Sequence, residues 1–112
     1  MTDDAVLAAL ESALKSDPRN GPLWLHYAEL LETAGREEDA LHALRTATEL
    51  EDSRAAAVRR LIPLLRRRGQ LAEALIRVEG LLEAGEDPEL LLELARVQEA
   101  RGEAEELSLI HI

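Results

Sequence analysis

The residues of this sequence with the types needed for chemistry are three histidines and many carboxylates. His26 and His42 would meet across a helical hairpin, but no third ligand accompanies them, and His111 lies far along the chain. Because zinc sites use three or four protein ligands, we expect these histidines to be surface or partly packed residues. The chain has no cysteine, and so it has no thiol nucleophile and no thiolate ligand. We predict a protein that is not an enzyme and holds no metal or cofactor.

Motifs and composition argue against several further classes. The chain contains no Gly-rich phosphate loop, no HExxH and no GxSxG motif. Its net charge of −10 argues against nucleic acid, whose phosphates must be neutralised by lysine and arginine. No apolar run approaches the roughly 20 residues that span a bilayer, and the first four residues lack the basic character of a secretory signal. We expect a soluble cytoplasmic protein that binds neither nucleic acid nor membrane.

An arginine cluster is the most unusual charge pattern in this acidic chain. Its members lie within fifteen consecutive residues and are Arg54, Arg59, Arg60, Arg66, Arg67 and Arg68. If a helix here buries its aliphatic residues, Arg59, Pro63 and Arg66 form one stripe on a different face. The planar guanidinium group suits carboxylates, so the stripe indicates capture of an acidic or C-terminal carboxylate peptide. The alternative is that Arg59 and Arg66 pair with Glu29, Glu32 or Glu99 on adjacent helices.

The elements that would position these residues form a repeat. Gly35, Gly69 and Gly102 lie 34 and 33 residues apart, and the segments 24–28, 58–62 and 91–95 fall in register before them. A period near 34 residues with two amphipathic helices per unit predicts a helical solenoid, because no unit buries its apolar face alone.

The periodicity predicts six helices, and connections of two to four residues make neighbouring helices antiparallel. The first, second, third and fifth helices are expected at 3–15, 21–34, 37–50 and 71–84. Ser53 is expected to cap the fourth helix, and Gly69 to end it. The sixth helix is expected to start at Asp87 and to end at Gly102, with a short continuation beyond it. Pro63 should kink the fourth helix. The sixth helix is expected to face inward with Leu91, Leu94, Ala95 and Val97. The predicted core consists of Leu10, Trp24, Tyr27, Ala28, Leu31, Ala40, Leu44, Ala47, Leu61, Leu65, Ala74, Val78, Leu91 and Leu94.

The pattern resembles the tetratricopeptide repeat in the residues Trp24, Tyr27, Ala28, Gly35, Ala40 and Ala47, preceded by Asp17-Pro18. The resemblance implies an all-α, right-handed superhelical solenoid of antiparallel helix pairs. We divide residues 1–106, a single domain, into a leading helix (3–18), repeats 21–54 and 55–87, and a partial repeat (88–106). Residues 107–112 form an atypical apolar tail, which we interpret as a truncated or artefactual end.

The resemblance also implies a function, namely a non-catalytic module that binds a peptide or helix of a partner protein in its concave groove. Carried over by register, the groove residues are Leu25, Glu29, Arg59, Arg66, Arg67, Leu92 and Arg96. Two other functions stay open. One is an N-terminal regulatory or assembly segment of a longer protein, similar to helical-repeat regions that precede ATPase modules in some bacterial proteins. The other is a structural unit that self-associates through its open C-terminal end.

Overall fold

The computed structural model describes the backbone of residues 3–110 and the side chains of residues 4–106. It contains six α-helices and, within those residues, no strand. The helices are α1 (Asp3–Ser16), α2 (Gly21–Thr33), α3 (Glu37–Thr48), α4 (Arg54–Arg67), α5 (Leu71–Leu82) and α6 (Pro88–Ile110). The predicted all-α fold class is confirmed, whereas the right-handed superhelix and the domain boundaries stay predictions. His111 and the side chains of the apolar tail lie outside the described residues.

The helices divide into two compact units, residues 1–61 and residues 62–112, and the boundary lies inside α4 beside Pro63. In the first unit α2 packs against α3 and against α1, and in the second unit α5 packs against α6. The connections within these units contain three to five residues. Connections this short make each of these packed pairs antiparallel.

Local sequence signals fix the two ends of α2. At its start the side chain of Asn20 accepts a hydrogen bond from the backbone N–H of Leu23 at 3.1 Å, and Pro22 follows in the first turn. At its end Gly35 has a φ of 78°, and Arg36 N–H donates to the Leu31 carbonyl at 2.9 Å. This glycine-terminated motif satisfies carbonyls that the helix leaves unpaired. The predicted role of Gly35 is therefore confirmed.

Gly69 ends α4 in the same way, but Gly102 does not end α6. Gly69 has a φ of 77°, and Gln70 N–H donates to the Leu65 carbonyl at 2.9 Å. Gly102 has no positive φ and lies in the interior of a helix that continues to Ile110. The prediction that Gly102 ends the sixth helix is therefore wrong, whereas the predicted continuation of the helix beyond Gly102 is confirmed. Glycine inside a helix costs only about 1 kcal/mol, and the Arg, Glu and Ala residues around Gly102 all favour helix.

The core of the first unit is aliphatic and small. Its buried apolar residues are Leu7, Leu14, Ala28, Leu31, Ala40, Leu41, Ala43, Leu44, Ala47, Leu50, Ala57, Val58 and Leu61. The core prediction is wrong at Leu10, which is half-buried, because α1 directs Leu7 and Leu14 inward instead. Trp24 and Tyr27 are also only half-buried. They contact each other edge-on with ring centroids 6.2 Å apart, and the Trp24 indole donates to the Pro18 carbonyl at 2.9 Å.

The core of the second unit consists of Ile62, Leu64, Leu65, Ala74, Val78, Leu90 and Val97. The prediction for the buried face of α6 is correct at Val97 and wrong at Leu91 and Ala95. Leu90 and Val97 are buried and Leu94 is half-buried, whereas Leu91 is 45% exposed and Ala95 is exposed. Leu90, Leu94 and Val97 face the core of the second unit because this side of α6 packs against α5.

The structure also differs from the sequence prediction at Ser53. Instead of capping the start of α4, its buried hydroxyl donates to the Ala47 carbonyl at 2.8 Å, near the end of α3. Sequence pattern alone does not separate these roles, since serine serves both as an acceptor for N–H groups and as a donor to carbonyls.

Candidate partner-binding surfaces

In the first unit the predicted groove residues Leu25, Glu29 and Arg59 lie on α2 and α4. The side chains of Glu29 and Arg59 are exposed, and Leu25 is half-buried. The Arg60 guanidinium donates to the Leu25 backbone carbonyl at 3.1 Å. Arg60 therefore ties α2 to α4 and has a structural contact that the sequence pattern did not reveal, because a backbone carbonyl gives no signal in the residue types.

In the second unit two predicted groove residues, Arg66 and Arg96, both contact Glu93. Arg66 Nε lies 3.2 Å from Glu93 Oε2, and Arg96 Nη1 lies 3.0 Å from Glu93 Oε1. The Glu93 side chain is only 15% exposed, so this bridge is better shielded from water than an ordinary surface pair. Arg66 of α4 thus pairs with an acidic residue of α6, but that residue is Glu93, which is not among the predicted partners Glu29, Glu32 and Glu99.

A shallow depression of about 370 Å³ lies beside this bridge. It is lined by Arg66, Arg96, Glu99, Ala100 and Glu103. Its two guanidinium groups are balanced by two carboxylates, and Glu93 adds a third negative charge to the same cluster. The depression therefore has no excess positive charge with which to attract an acidic ligand.

Large apolar side chains are exposed at Leu91, Leu92 and Ile76. Leu92 is 51% exposed on α6, and Ile76 is 70% exposed on α5. Leu92 and Arg96 are four residues apart and therefore share one face of α6, as the sequence predicted for a groove stripe. The exposed Arg67 completes the set of predicted residues in this unit.

A second polar cluster lies at Tyr27 in the first unit. The Tyr27 hydroxyl donates to Glu11 Oε1 at 2.7 Å, and the Arg36 guanidinium lies 2.8 Å from Asp39 Oδ2. Burial raises the pKa of Tyr27 to about 12, and the hydrogen bond and negative charge of Glu11 act in the same direction. The hydrogen bond to Asp39 raises the pKa of Arg36. Tyr27 is therefore neutral and Arg36 is charged at neutral pH, and the hydrogen bond from Tyr27 to Glu11 links α2 to α1.

The described residues offer neither a cluster of metal ligands nor a helix that could span a membrane. No group of three histidine or carboxylate side chains among them is arranged to hold a metal ion, and His26 and His42 are both exposed. No helix within the described part of the chain is long and apolar enough to cross a membrane.

Comparison with known proteins supplies the family. The family model of the tetratricopeptide repeat matches residues 2–62, which is just over half of the chain and closely coincides with the first compact unit. A search of curated proteins finds no match. Tetratricopeptide repeats generally mediate protein–protein interaction and are typically non-catalytic. The match, the six helices and the glycine residues that end α2 and α4 together show that the chain belongs to the tetratricopeptide repeat family.

Proposed function

We propose that this chain is a non-catalytic interaction module that binds a peptide or helix of a partner protein along the first helices of its repeats. The observation that supports this proposal is that Leu92 and Arg96 lie side by side on one face of α6. Leu92 offers a half-exposed apolar contact, and Arg96 is anchored by its ion pair with Glu93. An aliphatic anchor beside a positioned guanidinium group is a combination that protein interfaces use, since hot spots join apolar burial to arginine contacts.

The charges of the described residues narrow the chemistry of the ligand. Arg66 is engaged with Glu93, and the neighbouring depression is electrically balanced. Among the arginines predicted to line the groove, Arg59 and Arg67 have exposed side chains and lie outside the lining of this depression. We propose a partner segment that carries an aliphatic side chain for Leu92 and one or more carboxylates for these arginines. We also propose, from the composition of the chain, that the protein is cytoplasmic.

The first experiment tests the apolar anchor with two matched variants. Leu92→Ser and Ile76→Ser each remove one exposed aliphatic side chain, but only Leu92 lies on the proposed face. We would isolate binding peptides from a displayed random library with the unmodified chain and then measure the affinity of both variants for them. Leu92→Ser should weaken binding about tenfold or more, which corresponds to a loss of about 1.4 kcal/mol. Equal affinities for the two variants would contradict the proposed face.

The second experiment tests the arginines. The double variant Arg59→Gln with Arg67→Gln should weaken peptide binding and reduce its dependence on salt, because exposed charges are screened over about 8 Å at physiological ionic strength. A matched control, Arg19→Gln with Arg101→Gln, removes the same charge from two exposed positions off this face. If the control variant loses as much affinity, net charge and not the α4 arginines governs binding, and the assignment of these residues fails.

A further inference from the structure

The repeat register relates α1 to α3 and α6 to α2. A shift of 34 residues places Val6, Leu10 and Ala13 of α1 at the positions of Ala40, Leu44 and Ala47 of α3. A shift of 67 residues places Leu91, Ala95 and Gln98 of α6 at the positions of Trp24, Ala28 and Leu31 of α2. Helix α1 is thus a second helix of a repeat, and α6 is a first helix. Each of them occupies one half of a helix pair.

Burial shows that the corresponding face of α1 is only partly covered. In α3 the residues Ala40, Leu44 and Ala47 are all 0% exposed, because α3 packs on α2. At the corresponding positions in α1, Val6 and Leu10 are only half-buried and Ala13 is exposed. The other stripe of α1, formed by Leu7 and Leu14, is the one that its unit buries.

The corresponding face of α6 is uncovered. In α2 both Ala28 and Leu31 are 0% exposed. In α6 Leu91 is 45% exposed, and Ala95 and Gln98 are exposed. This face differs from the stripe of Leu92 and Arg96, which lies about 100° further round the helix. The described residues therefore contain one partly covered face on α1 and one uncovered face on α6, and their positions in the repeat match those of α3 and α2 in the packed α2–α3 pair.

We propose that the uncovered face of α6 docks against the partly covered face of α1 in a second copy of this chain, so that the two helices complete a hybrid repeat. The α2–α3 pair is the template for this contact. Leu10 takes the position of Leu44, and Ala95 takes the position of Ala28, so the proposed contact keeps the large residue and the small residue of the template at these two positions. The small Ala13 and Ala95 allow the close helix approach that ridge-into-groove packing needs. The contact joins unlike faces, and therefore the assembly is head-to-tail.

Two features set the strength of this association. Gln98 replaces the buried Leu31 of the template, so the hybrid pair buries less apolar surface than α2–α3 does. Each chain also carries a net charge of −10, so the copies repel each other at low salt. The association should therefore be weak and should strengthen as salt is added. Binding of an acidic peptide by the arginines weakens with salt, so the two activities respond in opposite directions.

The experiment uses the full chain in sedimentation velocity runs between about 10 μM and about 1 mM, the range in which small interfaces dissociate. Ala13→Glu places a charge on the α1 face, and Ala95→Glu places one on the α6 face. Both residues are exposed, so circular dichroism should show unchanged helicity. The matched controls are Ala8→Glu and Ala104→Glu, which add the same charge at exposed positions on the opposite sides of α1 and α6.

We expect the unmodified chain and both control variants to gain mass with concentration, and each face variant alone to remain monomeric. A mixture of the two face variants should form a one-to-one dimer, because Ala13→Glu retains an intact α6 face and Ala95→Glu retains an intact α1 face. A monomeric unmodified chain over the whole range would overturn the proposal. Loss of association in only one face variant would also overturn it, since that result indicates a symmetric contact of one helix with itself.

Discussion

Gly21 is the position at which a single methyl group should disturb this fold most informatively. It is buried at the first turn of α2 and faces the loop between α3 and α4. A Cβ built on Gly21 lies 2.6 Å from the Cβ of Ser53 and 2.5 Å from Asp52 Oδ1. The Asp52 side chain is exposed and can rotate away. Ser53 cannot, because it is 1% exposed and its hydroxyl is bonded to the Ala47 carbonyl at 2.8 Å.

The magnitude follows from this contact. Carbon atoms pack without strain at about 3.5–4.0 Å, so Gly21→Ala requires a backbone shift of about 1 Å. Overpacking of this kind costs about 1–3 kcal/mol. Replacement of a helical glycine by alanine gains about 0.5–1 kcal/mol and offsets part of that cost. We expect the free energy of unfolding to fall by about 1–2 kcal/mol, which lowers the melting temperature by about 4–8 °C at this chain length.

The assay is thermal unfolding followed by circular dichroism, with Gly80→Ala as the matched control. Gly80 lies inside α5, has no positive φ, and has no atom within 4 Å of a built Cβ. Gly80→Ala should therefore raise the free energy of unfolding by about 0.5–1 kcal/mol, as expected for a helix interior. The two variants should shift the melting temperature in opposite directions. A Gly21→Ala protein as stable as the unmodified chain would refute the close approach of α2 to Ser53.

Two further predictions concern packing and ionisation. Val97→Ala should lower the free energy of unfolding by about 1.5–3 kcal/mol, because Val97 is 0% exposed. Leu91 is 45% exposed, so Leu91→Ala should lower it by only about 0.5 kcal/mol. Equal losses for the two variants in urea unfolding would contradict the burial of Val97 and the exposure of Leu91. The only tyrosine, Tyr27, should titrate by phenolate absorbance at a pKa of about 12 instead of 10.0. Because its pKa is higher in the folded chain than in the unfolded chain, the stability that protonated Tyr27 contributes is complete below pH 10 and is lost as pH rises from about 10 to about 12. Tyr27→Phe should reduce this loss, and a midpoint near 10 in the folded protein would contradict the contact with Glu11.

The sequence by itself determined the helices, the repeat and the family. These features depend on local signals, such as the spacing of apolar residues and the residues that start and stop a helix. Gly35 and Gly69 were predicted correctly because their positive φ is a property of a few consecutive residues. Gly102 was predicted wrongly from the same register, because helix termination also depends on the residues that follow, and those favour helix.

Only the tertiary structure decided which faces of α1 and α6 are buried and which charges meet. Helix α6 has aliphatic residues on two adjacent stripes, and its packing against α5 selected Leu90 and Val97 over Leu91 and Ala95. Glu93 joins Arg66 across 27 residues of sequence, and Arg60 reaches the backbone of Leu25 across 35. Such contacts depend on the positions of whole helices, and an acidic chain offers each arginine many partners. Periodicity restricts a side chain to one side of its helix, but the neighbouring helix determines whether that side is core, ion pair or open surface.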